Sequence, residues 1–384
     1  MLKILTYNEI DKHQWQALIN QSPTASWFQT PEAYEFYMSV LHEIMPFAVG
    51  VSECKVEGVE CKGTENSGAE LQASTPYTLH QTPSLKGVVV GYITNANNPI
   101  KQFLTHRAII IGGPLLAEDI SDEALTALLK AVKECKVESE KCKGTENGKA
   151  EPLASTPYTL HSTPIYIETR NFHDYSKWRH IFEQCGFAYQ PHLNIQVTCN
   201  ATHSMSDQRI RQVKKAIKNG VEIAEAQSEQ EIRDWYQILK QLYRKKVHTP
   251  LWSEEFFLQF YRNEVGKYLL VKFNGKVIGG MMCPVFNNKA IYEWYVCGLD
   301  EEYRELYPSV MATYAAIEYA KKHTIEMFDF MGAGKPDIPY GVRDFKMEFG
   351  GEQVEHGRYL YICKPWLFKM GKIAVKMLKI GNIF

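Results

Sequence analysis

Residues 53–83 (ECKVEGVECKGTENSGAELQASTPYTLHQTP) return 81 positions later as residues 134–164 (ECKVESEKCKGTENGKAEPLASTPYTLHSTP), identical at 23 of 31 positions. Outside those limits the likeness stops at once. A solenoid or propeller would repeat its strands and helices, because each unit is one packing module. Here the repeated part is rich in Thr, Ser, Glu, Gly and Pro and shows neither a period of 2 nor one of 3.6. Such a segment cannot bury enough apolar area to offset its ordering entropy. The fold must therefore be carried by the unrepeated remainder, with the copies as irregular loop insertions.

The flanks agree. PFAVGVS (46–52) and LKGVVVGYI (85–93) read as two strands of a hairpin around the first copy. The helical ALTALLKAVKE (124–134) precedes the second copy and the strand-like IYIETRNF (165–172) follows it. Surface loops tolerate long insertions because closure entropy grows slowly with length. The expectation is a repetitive DNA element translated in frame at two permissive loops. A duplicated binding segment is one alternative; a metal site joining Cys54, Cys61, Cys135 and Cys142 is another. Their in-copy spacing of seven is not that of a usual zinc knuckle, so no metal is expected.

The 384 residues suffice for two domains, and a formal charge of -1 argues against bulk coating of nucleic acid. The start, MLKILTYNEIDKHQW, has no sustained apolar core of a secretory leader, and no run of about 18 apolar residues suggests a membrane span. Cys185, Cys199, Cys283, Cys297 and Cys363 sit among apolar residues and read as buried thiols of a reducing, cytoplasmic compartment.

In the first half, WFQTPEAYEFYMSVL (27–41) is a helix capped by Thr30 with Pro31 in its first turn. The segment 175–185 is a helix stopped by Gly186, and HLNIQV is a strand. The second half opens with RIRQVKKAIKNGVEI, a helix ended by Gly220 and then a strand. A helix from Ser228 follows, with Glu231 in capping-box spacing, then a hairpin turning at Asn274-Gly275. KAIYEWYVCG is the next strand, YPSVMATYAAIEYAKKH a helix, and EMFDFMG a final strand. Alternating mixed strands and helices imply a mixed α/β (α+β) architecture. Hairpin, strand, long helix and strand is the order of the acyltransferase fold called GNAT.

Four stretches resemble the FemABX family of aminoacyl transferases: WFQTPEAYEFY, RIRQVKKAIKNGVEI, AIYEWYVCG and FDFMGAGKPDIPYGVRDFKMEFGGE. The resemblance implies two GNAT-like domains: 1–200 with the insertions, 201–355 with the active cleft, and a C-terminal strand and helix over 356–384. Family members join an amino acid, carried as an ester on tRNA, to an amine of a peptidoglycan precursor. The implied activity is thus an aminoacyltransferase of cell-wall synthesis that needs no cofactor, with aminoacyl-tRNA as donor. The alternatives are a GNAT N-acyltransferase using acyl-CoA on another amine and a degenerate, non-catalytic GNAT-fold binding protein.

Such a reaction develops an oxyanion that a fixed donor must stabilise. Lys346 in DFKMEFGG matches the family's lysine facing the acyl group; the competing reading is a surface lysine on a strand. Asp329 and Asp344 are the candidate general bases. Tyr295 is the candidate groove-lining aromatic beside Tyr292 and Trp294, which read as core. The acceptor's pyrophosphate, lipid-linked or nucleotide-linked, calls for cations. Arg211 and Lys215, on one helical face with Lys214 and Lys218, are candidates, and the resemblance favours Arg244 beside Lys245 and Lys246. The family's early lysine has no counterpart within 34–38. Between Cys297 and Ser309 no glycine-rich pyrophosphate cradle is visible, which weakens CoA use. GAGK at 332–335 lacks the rest of a Walker motif.

In the last segment, KPWLFKMGKIAVKMLKIGNIF, Lys369, Lys372, Lys376 and Lys379 make a narrow stripe on an otherwise apolar helix. A basic amphipathic helix over 365–380 can lie on an anionic membrane surface or pack against the domain. The expected location is cytoplasmic, peripheral at the inner face of the membrane.

Overall fold

The computed structural model describes residues 1–54, 83–94, 106–134, 163–200 and 202–381, with side chains as far as residue 373. Both repeats lie almost wholly outside these residues, and with them Cys61, Cys135 and Cys142.

The strands are β1 (Leu2–Thr6), β2 (Ile44–Glu53), β3 (Ser84–Thr94), β4 (Ala108–Gly112), β5 (Leu115–Leu116), β6 (Tyr166–Asn171), β7 (Ala188–Gln190) and β8 (Leu193–Thr198). They continue with β9 (Val221–Glu225), β10 (Gly266–Phe273), β11 (Lys276–Phe286), β12 (Ala290–Tyr292), β13 (Tyr295–Gly298), β14 (Met327–Asp329), β15 (Glu352–Glu355) and β16 (Arg358–Ile362). One sheet runs β1-β2-β3-β4-β6-β16-β7, with β5 on β3; the other runs β15-β8-β14-β12-β11-β10-β9, with β13 on β11. The helices are α1 (Lys12–Gln21), α2 (Pro31–Met38), α3 (Asp122–Glu134), α4 (Arg179–Gln184) and α5 (Asp207–Lys218). After them come α6 (Glu229–Leu242), α7 (Glu254–Arg262), α8 (Pro308–Lys322), α9 (Gly341–Met347) and α10 (Pro365–Gly381). This is the mixed α/β architecture that the pattern implied, built on two sheets.

The local signals act as expected. Thr30 accepts from Ala33 N at the start of α2, and Ser228 from Glu231 N at the start of α6. Asn274 and Gly275 both have positive φ, 49° and 74°, in the β10–β11 turn. At the base of the first insertion, Glu53 and Ser84 are register partners in the β2–β3 pair. The chain leaves and re-enters one hairpin.

The chain changes sheet twice. Pro191 and His192 carry it from β7 to β8 in the second sheet, and His356 and Gly357 return it from β15 to β16 in the first. Residues 193–198 of the first half thus belong to the second sheet, and 358–362 to the first. The crossings are tied together, since Gly357 N donates to His192 O at 3.3 Å. Gly357 has φ 63°, and a Cβ there would lie 2.3 Å from the Tyr189 ring, so only glycine fits.

An aromatic seam joins the sheets. Trp294 lies 5.8 Å from Trp27, 5.1 Å from Phe28 and 5.9 Å from Phe260, while Phe36 lies 5.2 Å from Phe256. Fully burying a Phe side chain stabilises by about 1.5–3 kcal/mol, and each well-placed aromatic pair adds about 0.5–1.5 kcal/mol. The capped turn and helix at 27–38 is therefore the first half's anchor on the second.

Candidate active site

The strand expected across KAIYEWYVCG is interrupted. β12 pairs in parallel with β14, β13 pairs with β11, and Glu293 and Trp294 lie between them. Glu293 N donates to Asp329 O at 2.9 Å as the last link between the diverging strands. In the opening lies the Glu293 side chain, with the residue 8% exposed.

Lys346 fills the other side. It lies on α9 and is 8% exposed, so the strand-surface reading is corrected on both counts. A helical residue can reach back over the preceding turn, and the amine meets three acceptors. These are Glu293 Oε1 at 2.9 Å, Phe330 O at 2.9 Å and Gly332 O at 2.8 Å. An ammonium has three protons, and each has a partner here. Burial pushes the Glu293 carboxyl above its ordinary value, and the Lys346 charge partly offsets this.

The turn holding those carbonyls is under conformational tension. Met331 has φ 56° and Gly332 φ 139°, and a non-glycine residue there costs of order 1 kcal/mol. Asp329, fully buried, receives Met331 N at 2.6 Å, Asn194 Nδ2 at 2.9 Å and Gln196 Nε2 at 2.9 Å. Asn194 Oδ1 in turn receives Gly332 N at 2.7 Å. Burial raises the Asp329 carboxyl, and these donors moderate the rise. Lys346 and the Asp329–Asn194 pair thus clamp the same turn, the lysine through its carbonyls and the pair through its amides. Through Gln196 the network reaches a groove of about 450 Å³ lined also by Phe172, His173 and His356.

The other sequence candidates sit elsewhere. Asp344 is exposed on α9, two residues from Lys346 and so on a different helical face. Tyr295 is half-buried at the seam, its ring 5.1 Å from Phe257 and 6.3 Å from Tyr243. Burial pushes its phenol well above the ordinary range, and it lies within electrostatic reach of Tyr92 and Arg170. Arg244 is exposed on a π-turn after α6. Arg211 and Lys215 are exposed on α5, where Lys215 pairs with Glu305. Phe349 is buried and Phe345 partly so, as expected of packing residues. Among the described residues no cluster of His, Cys, Asp or Glu could hold a metal.

Sequence reasoning passed over Glu293, Asn194 and Gln196. Their signals were present: Glu293 is the one acid in AIYEWYVCG, and Asn194 and Gln196 alternate with Leu193, Ile195 and Val197 on β8. Arg209 was also missed. It is buried and stacks 4.4 Å from the Phe345 ring, with its guanidinium 3.2 Å from Glu348, fixing α5 against α9. At the start of α8, Asp300 receives Ser309 N at 3.0 Å and the Ser309 hydroxyl.

Residues 206–347 match the family described as Acetyltransferase (GNAT) domain. No curated protein matches the chain in sequence. The structure of FemX superposes with a TM-score of 0.60 and 13% identity, covering 96% of this chain and 99% of that one. L-PGS from Bacillus licheniformis gives 0.48 at 11% identity, covering 75% of this chain and 85% of that one. A tandem GNAT protein from the clavulanic acid biosynthesis pathway also gives 0.48, at 9%, covering 94% and 98%. Residues 206–347 thus match an acetyltransferase domain of the GNAT type, set within a two-sheet fold like that of FemX.

Proposed function

We propose that the protein transfers an aminoacyl group from aminoacyl-tRNA to an amine of a peptidoglycan precursor, working at the inner face of the membrane. The observation that carries this reading is the buried Lys346–Glu293 pair where β12 and β14 diverge inside the GNAT domain. There a cation is held in a low-dielectric setting, where it acts most strongly on charge that develops nearby.

In this reading the acceptor nitrogen bonds to the ester carbon, and the carbonyl oxygen becomes an oxyanion. Lys346 exchanges one of its carbonyl partners for that oxyanion. The carbon–oxygen ester bond then breaks, the leaving ribose oxygen takes a proton, and the amine sheds one. Asp329, the carboxylate of the 329–332 turn, receives the proton. Arg244, with Arg211 and Lys215, meets the acceptor's pyrophosphate, and Tyr295 lines the way in. Use of aminoacyl-tRNA rather than acyl-CoA is favoured by Asp300, whose carboxylate already occupies the first-turn amide and hydroxyl of Ser309. A phosphate would meet like charge there.

The test is mass analysis of lipid-linked and nucleotide-linked precursors incubated with the protein and either charged tRNA or acyl-CoA. A precursor heavier by one aminoacyl residue with charged tRNA alone is expected. A precursor unchanged with both donors would overturn the reading.

A further inference from the structure

One face of the C-terminal helix is largely exposed to solvent. α10 is anchored by Leu367, which is buried, and by Phe368, whose ring lies 5.5 Å from Tyr166 on β6. On another side, Trp366, Met370 and Ile373 follow i, i+4, i+7 spacing and so form one stripe. They are 59%, 53% and 47% exposed. Lys369 and Lys372, also exposed, run along one edge of that stripe, and Lys372 Nζ lies 4.5 Å over the Phe368 ring. Residues 356–384 contain six Lys or Arg and no Asp or Glu. Lys376 and Lys379 continue the series in sequence, beyond the described side chains.

We propose that this face of α10 docks on the surface of an anionic lipid bilayer, with Trp366, Met370 and Ile373 entering the interface and Lys369 and Lys372 at headgroup level. An amphipathic helix with an apolar stripe and a cationic edge lies in the interface plane, where tryptophan is favoured. A second copy of this chain fits worse, because a two-fold contact would bring the same lysines together. A soluble acidic partner would match the lysines and leave the apolar stripe in water. The proposal deepens the transferase reading, since a lipid-linked acceptor would be met at that surface. No helix among the described residues is long and apolar enough to cross a membrane, so contact through this face would be peripheral.

The experiment is co-sedimentation with phosphatidylcholine vesicles, with and without phosphatidylglycerol, at low and high salt. Transfer to a soluble, nucleotide-linked acceptor is measured in parallel. The full chain should bind only the anionic vesicles, and salt should release it. Removing two charges (Lys369→Gln with Lys372→Gln) should weaken binding by about 30-fold, at about 1 kcal/mol per lysine. Trp366→Ser with Met370→Gln and Ile373→Gln should abolish it while leaving soluble-acceptor transfer intact. Brominated lipid should quench part of the tryptophan emission, and Trp366→Phe should remove that part. A full chain that stays in the supernatant overturns the docking proposal, whatever the transfer assay shows. So does binding that survives both sets of changes, or a dimer that the apolar set dissociates. Vesicle binding without transfer to any acceptor would instead leave docking standing and sink the transferase reading.

Discussion

Lys346 and Arg244 are both cations that the family resemblance singles out, yet the fold treats them in opposite ways. Lys346 lies buried in the segment 206–347, with a carboxylate and two carbonyls on its three protons. Arg244 lies on an exposed turn. A buried charge is costly unless it is paired and hydrogen-bonded, so the first must be wired into the structure. A surface guanidinium carries no such obligation. The difference separates a residue whose loss harms both fold and chemistry from one whose loss would show only in substrate binding.

Lys346→Ala breaks the comparison most severely. It leaves Glu293 without its cation and two carbonyls without a donor, and losing one member of a buried pair costs about 3–5 kcal/mol. Urea unfolding should show that loss, and transfer should fall with it. Arg244→Ala should stay within about 0.5 kcal/mol of the parent while raising the KM for the acceptor. Because Lys346→Ala confounds folding with chemistry, Lys346→Met with Glu293→Leu is the sharper variant. It replaces both charges by apolar groups and should recover most of the stability but none of the turnover. If turnover returned as well, Lys346 would be structural only.

Asn194→Ala comes next. It removes the donor to Asp329 and the acceptor for Gly332 N at once, leaving groups unsatisfied at about 1–3 kcal/mol. Thermal unfolding measures it. An effect as small as that of Arg244→Ala would mean the turn at 329–332 holds its shape without the β8 side chains.

The crossing at His192 gives a pH-dependent test. Its Nε2 lies 2.9 Å from Arg358 Nη2; arginine can only donate, so the imidazole must accept there and be neutral. Burial first, and Arg358 second, push its value down from 6.5 to about 4. A depressed folded value means that this contribution is complete above pH 6.5 and is lost as pH falls towards 4. Glu293 and Asp329, raised by burial, act in the other sense, and their contributions shrink as pH rises. The readout is therefore the difference between variant and parent. His192→Gln keeps an acceptor for Arg358 and cannot titrate, so it should flatten the acid side by about 1–2 kcal/mol. Parallel curves for the two proteins would refute this account.

How much of this was written in the sequence follows the range of the interactions. Caps, turns and amphipathic stripes depend on neighbours a few residues away, and Thr30, Ser228 and Asn274-Gly275 were legible for that reason. The two crossings were not, because nothing local tells HLNIQV to leave the sheet of the strand before it. Glu293 could be seen in AIYEWYVCG as an odd acid, but its meaning depends on Lys346, 53 residues on. The break of that strand depends likewise on β14. Asp344 shares the motif of Lys346 yet is turned away by helical geometry, which a strand reading of the same letters could not reveal.

The smallest expected effect concerns the repeats, and it contrasts them with all the residues above. Glu53 and Ser84 face each other across β2 and β3, so residues 54–83 can be replaced by Asn-Gly, the turn suited to a two-residue hairpin. Shortening the connection removes roughly 2 kcal/mol of closure entropy from the folding cost. Against this stands the loss of the 3.0 Å bond from Cys54 N to Met1 O, worth about 0.5–1.5 kcal/mol. The net change should lie within about 1 kcal/mol of the full chain, with transfer unaltered, as expected of inserted DNA translated at a permissive loop. The same holds for the second copy, whose removal rejoins α3 to β6 by a short turn. Loss of folding or of acceptor turnover on removing either copy would show that the duplicated segment has a role, and that its second appearance was kept for a reason.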